Sequence, residues 1–214
     1  MDGAQRMRTP PSGDALKSAL GRFFETLARA LESVEVSDDG GRRVPFGTGL
    51  ARAVDLLVGQ TERGRKIMFV GNGASAAISS HQSVDYWKTG GMRAVAFNDP
   101  ALLTCVGNDF GYPSVFEKPI EMFADPGDVL IAISSAGQSE NILRAARQAR
   151  EKACRVLTMS GFNADNPLRT LGELNFYVPS KSYGHVEITH LSLCHGMLDA
   201  ICEVFGSPPT RKPS

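Results

Sequence analysis

Five short apolar runs, separated by stretches with helical spacing, constrain this chain more than any other feature. Lys66-Ile67-Met68-Phe69-Val70-Gly71 is nearly continuously apolar and ends in glycine. Comparable runs follow at Ala94-Val95-Ala96-Phe97, Asp128-Val129-Leu130-Ile131-Ala132-Ile133, Arg155-Val156-Leu157-Thr158-Met159 and Asn175-Phe176-Tyr177-Val178. They lack the polar alternation of a half-exposed strand and so belong to strands covered on both faces. Residues 140–154, between two of these runs, set Ile142, Leu143, Ala146 and Ala149 at helical intervals. Strands alternating with helices require a parallel sheet covered on both sides. The expected fold is α/β, a three-layer sandwich with a five-stranded, mainly parallel sheet of the doubly wound, flavodoxin-like type.

Ahead of the sheet, Leu16, Leu20, Phe23, Phe24, Leu27 and Leu31 predict an amphipathic helix over 14–34. Leu50, Val54, Leu57 and Val58 predict another over 46–63, and Ser37-Asp38-Asp39-Gly40-Gly41-Arg42-Arg43 between them reads as a turn or loop. A last helix covers 185–205. Residues 1–13 and 207–214, rich in proline and small polar residues, read as a disordered arm and tail. One domain over 14–206 remains, with the first helices as its N-terminal extension.

Lysine plus arginine (23) balances aspartate plus glutamate (23), so no net field draws nucleic acid or an anionic membrane. No apolar run approaches the ~20 residues of a membrane-spanning helix, and Met1-Asp2-Gly3-Ala4-Gln5-Arg6 opens no apolar leader. Cys105, Cys154, Cys194 and Cys202 form no CxxC pair, and three lie within apolar patterns, which points to reduced, buried thiols. The expectation is a cytoplasmic protein with no nucleic-acid or membrane partner.

In a doubly wound sheet, ligands bind beyond the carboxyl ends of the strands. Two strand ends here are rich in small polar residues just before a helix: Gly71-Asn72-Gly73-Ala74-Ser75 and Ser134-Ser135-Ala136-Gly137-Gln138-Ser139. Glycine lets backbone N–H groups approach an anion, hydroxyls add donors, and the helix N-terminus adds partial positive charge. Serine and glycine at a helix start are also ordinary capping residues. Two such loops in one sheet favour a monophosphate ester. Neither loop matches GxxxxGKS/T or GxGxxG, so no nucleotide cofactor is expected.

Phe69-Val70-Gly71-Asn72-Gly73-Ala74-Ser75, Cys105-Val106-Gly107-Asn108-Asp109-Phe110-Gly111 and Ile133-Ser134-Ser135-Ala136-Gly137-Gln138-Ser139 together resemble the sugar isomerase (SIS) family and, within it, the phosphoheptose isomerases. The likeness runs from about residue 50 to 203. It implies that Asn72, Gly73, Ser75, Ser134, Ser135 and Ser139 bind the sugar phosphate, with Asp99 placed to meet a sugar hydroxyl or to cap the helix that starts at Pro100. Ala136 stands where the family motif commonly has a serine.

His81 and Asp85 are i and i+4 and share a helix face; Glu187 and His195 lie eight residues, two turns and about 80°, apart on the last helix. His190 sits between them. Any one of these is more often a surface or capped residue than a catalytic one. The resemblance implies a histidine–acid pair at the first positions, a glutamine and a histidine at the second, and a divalent metal, zinc in some members, among all four. Here they become His81, Asp85, Glu187 and His195, with aspartate for glutamate and glutamate for glutamine. Two imidazoles and two carboxylates make a formally neutral zinc site, expected at the carboxyl end of the sheet.

The implied reaction is aldose–ketose isomerisation through an enediol, with Asp85 and His195 as the acid–base pair in either assignment and Glu187 also a substrate contact. The implied product is a heptose 7-phosphate made from sedoheptulose 7-phosphate for surface polysaccharide, by a homotetramer with the first helix packed between protomers. Gly184-His185, where phosphoheptose isomerases commonly carry Asp-Arg, leaves open an isomerase or epimerase of another sugar phosphate. A non-catalytic branch of the family, which binds a replication initiator, leaves open a binding protein without turnover.

Overall fold

A computed structural model describes residues 13–206; the expected arm, Gly13 apart, and the expected tail lie outside the described residues. Helix α1 (Gly13–Glu32) is followed by strands β1 (Glu35–Asp38) and β2 (Arg43–Val44), then α2 (Phe46–Glu62). The alternation proper runs β3 (Lys66–Gly71), α3 (Ala74–Lys88), β4 (Arg93–Ala96), α4 (Pro100–Phe110), α5 (Glu117–Phe123), β5 (Val129–Ser134), α6 (Glu140–Glu151), β6 (Arg155–Gly161), β7 (Leu174–Val178) and α7 (Tyr183–Phe205).

The sheet order is β2-β1-β7-β6-β5-β3-β4. Its five parallel strands, β3 to β7, are the five apolar runs, and the order reverses between β3 and β5. Seven strands form rather than the expected five, because the segment read as a loop folds into a hairpin that adds antiparallel to β7. Asp38 closes that hairpin by accepting from the backbone N–H groups of Gly40 and Arg42. Strands of four and two residues are too short to carry a readable period.

Successive residues of each central strand serve opposite layers. In β3, Ile67 and Phe69 join one core with α2 and α7 residues such as Leu57 and Leu193. Met68 and Val70 join the other, with Val106, Ile120 and Ile142 from α4, α5 and α6. Both faces are therefore covered, as the unalternating runs require. All four cysteines are free, with Cys154 and Cys194 buried and Cys105 exposed. No helix among the described residues is long and apolar enough to cross a membrane.

Candidate active site

The two loops meet at the carboxyl end of the sheet, on either side of the point where strand order reverses. Gly71 is required there: a Cβ would lie 2.5 Å from the Ser75 carbonyl, so only glycine lets the first turn of α3 fold back over the end of β3. Gly137 has φ +64°, and a Cβ on it would meet the Asn166 side chain at 2.0 Å. The turn around it is pinned by Gly137 N–H donating to Ser134 Oγ and by Leu168 N–H donating to the Gly137 carbonyl. Asn72 and Asn141 exchange two amide hydrogen bonds of 2.9 Å, tying the first loop to α6, and Tyr112 Oη donates to Asn72 Oδ1.

Between the loops is a cleft of about 230 Å³ lined by Asn72, Gly73 and Ser75 on one side and by Ser134, Ser135 and Ser139 on the other. Ala74 and Ala136 fill in the loops, and Tyr183 and Glu187 of α7 form the remaining wall. Among the described residues no lysine or arginine lines it. Neither α3, which starts after Gly73, nor α6, which starts after Ser139, has a side-chain cap. The first-turn N–H groups of two helices are thus left to a ligand. The hydroxyls of Ser75, Ser135 and Ser139 make no hydrogen bond among the described residues, so the capping alternative does not account for them. Burial raises the Glu187 carboxyl above its ordinary pKa.

A second group of polar side chains lies farther along the same two helices. His81, Asp85 and His195 bring one ligand atom each to within 4.8 Å of one another. Asp85 Oδ2 is 3.0 Å from His81 Nε2 and 3.9 Å from His195 Nδ1. The buried Gln82 side chain reaches His195 Nε2 at 3.0 Å. The Gln82 amide either donates to Nε2, which leaves the His195 proton on Nδ1 toward Asp85, or accepts from it, which leaves Nδ1 free to ligate. The expected set of four does not converge. Glu187 faces the cleft, because eight residues of α7 put it about 12 Å along the axis from His195. Asp85 is ten residues, about 15 Å along the axis, down α3 from Ser75. Two imidazoles and a carboxylate remain, a donor set that fits a divalent ion.

Other residues take the plainer role. Asp99 accepts from Leu102 N–H at 3.0 Å and caps α4 with Pro100 at its first turn; it does not line the cleft. His190 is fully buried, its Nε2 on the Ser160 carbonyl, and burial pushes its pKa down to about 4. His185 is buried against Phe23 of α1, ring centroids 4.7 Å apart. Sequence reading missed Gln82, Asn141 and Tyr183. Gln82 adjoins His81 and Asn141 follows the serine loop by two residues, but neither carries a spacing that sets it apart from helix surface.

The sequence profile of the SIS domain matches residues 47–161. A phosphoheptose isomerase of Geobacter sulfurreducens is 32% identical over 158 residues, spanning 71% of this chain and 83% of its own. One from a Bradyrhizobium species is 34% identical over 197 residues, spanning 88% and 92%. Among solved structures, a phosphoheptose isomerase from Neisseria gonorrhoeae superposes with a TM-score of 0.75 at 28% identity, across 88% of this chain and 100% of that one.

Proposed function

With membership of the SIS domain family as its premise, we propose that this chain, which belongs to that family, is an aldose–ketose isomerase converting sedoheptulose 7-phosphate to a D-glycero-D-manno-heptose 7-phosphate. The observation that carries the reading is one pair of helices, α3 and α7, bearing a phosphate-sized cleft at their start and an imidazole–carboxylate cluster farther along. The names of the relatives support the same class.

Asp85 is assigned as the base that removes the proton from the carbon beside the carbonyl. His195, held by Gln82, is the acid that protonates the carbonyl oxygen when its Nδ1 is not on a metal. Return of the abstracted proton one carbon along, while His195 takes back the proton of the hydroxyl that becomes the new carbonyl, completes the exchange, so neither a redox cofactor nor a covalent nucleophile is needed. Asp85 is one methylene shorter than glutamate and so acts close to the substrate carbon or through a water. His81, Asp85 and His195 would hold zinc, which when bound supplies polarisation of the carbonyl and hydroxyl oxygens. Ser75, Ser134, Ser135 and Ser139 with the two helix N-termini hold the phosphate.

Assembly belongs to the same reading. The cluster is half open to solvent, with His81 56% exposed, and the exposed Val84, Trp87 and Ile188 stand on the same two helices. A homotetramer covers such a surface and the outward face of α1. A different sugar phosphate is the second reading, favoured by Gly184 and His185 contributing nothing to the cleft.

Turnover measured on a panel of ketose phosphates of three to seven carbons, with and without a chelator, tests this. The heptulose ester is expected to react fastest. Preference for a shorter ester supports the second reading, and no turnover on any ester contradicts both.

A further inference from the structure

We infer that Tyr183 is a substrate-binding residue whose phenol donates a hydrogen bond to the phosphate held in the cleft; the inference rests on reading that cleft as the phosphate site. Tyr183 is the first residue of α7 and lines the cleft opposite the serine loop, one turn before Glu187. Its place is built rather than incidental. The ring stands edge-on to Phe162, centroids 4.7 Å apart and planes at 77°. Phe162 has φ +59°, a conformation that a bulky residue keeps only when its surroundings hold it there. Its N–H donates to the Ser180 carbonyl at 3.0 Å, and its own carbonyl accepts from Tyr177 Oη at 2.9 Å. Phe162, held at both its N–H and its carbonyl, thus braces one edge of the Tyr183 ring, while the residue stays 62% exposed and open to a ligand.

The chemistry of the cleft leaves room for this donor. Among the described residues its walls hold no cationic side chain, its one charged lining group is the carboxylate of Glu187, and Ala136 offers no hydroxyl within the serine loop. The described residues offer a phosphate dianion there neutral donors alone. The Tyr183 hydroxyl has no hydrogen-bond partner among the described residues, and an O–H donor bound to a charged oxygen is among the stronger neutral contacts.

Tyr183→Phe keeps the ring and its brace and removes only the O–H, and Ser135→Ala removes one loop hydroxyl as the reference. Affinity of the full chain for inorganic phosphate, measured by calorimetry, and KM for the sugar phosphate are read for both, with melting temperature as the check on folding. Tyr183→Phe is expected to weaken phosphate binding roughly tenfold and raise KM by a similar factor, with melting unchanged. If Ser135→Ala weakens binding while Tyr183→Phe binds as the native chain does, the role of Tyr183 is overturned and the cleft stands. If neither variant changes phosphate affinity, both the role and the cleft are overturned.

Discussion

A carboxylate in a phosphate cleft opposes its own ligand, which makes Glu187 the residue that most separates this chain from a site with a neutral amide there. It lines the cleft, burial already raises its pKa, and it lies apart from the imidazole–carboxylate cluster. Glu187→Gln is therefore expected to tighten inorganic phosphate binding about threefold to tenfold, on the order of 1 kcal/mol for one charge–charge interaction. Metal content, measured on protein purified without chelator, is expected to stay the same. A fall in bound metal would place Glu187 among the ligands after all. The pairing of His81 with Asp85 was legible because i and i+4 face one way. The separation of Glu187 from His195 was equally open to reading, since helical rise and helical angle count equally; angle alone puts them on one side, and rise pulls them apart. Gln82 could not be found, because a buried amide that holds a histidine ring looks in sequence like any polar helix residue.

Among the elements, the serine loop works as a unit because Gly137 takes a backbone form that other residues resist. Gly137→Ala is expected to cost about 1–2 kcal/mol for the left-handed conformation alone. The methyl group would also press into Asn166 and shift the Ser134–Ser139 turn. Thermal unfolding should show the loss of stability, and phosphate titration a loss of affinity larger than that of Ser135→Ala. Unchanged melting and binding would mean that the turn relaxes freely. The sheet to which this loop is attached was legible strand by strand, since residues buried on both faces leave an unbroken apolar signature. The β1–β2 hairpin was not, because its pairing comes from the open edge of β7 and the carboxylate of Asp38 rather than from any pattern of its own.

At the scale of the whole molecule, the apolar stripe of α1 proves to be two faces. Phe23 packs on His185 and Gly184 of its own α7, whereas Leu20 is 53% and Phe24 64% exposed. Spacing alone merges them, since adjacent residues differ by only 100° around the helix. If the proposed homotetramer forms through this face, replacing Leu20 and Phe24 with aspartate is expected to dissociate it in sedimentation and to lower activity, while the chain's own core stays intact. A variant that keeps its native mass would show that this face serves another purpose. The central claim is that Asp85 and His195 move the proton of a sugar phosphate anchored in the serine-lined cleft. Its most direct test follows sedoheptulose 7-phosphate by NMR with the native chain and with Asp85→Asn. The account predicts appearance of the aldose with the native chain and a loss of about 10²–10⁴ in rate with the variant, with phosphate affinity retained. Undiminished turnover by Asp85→Asn would contradict it.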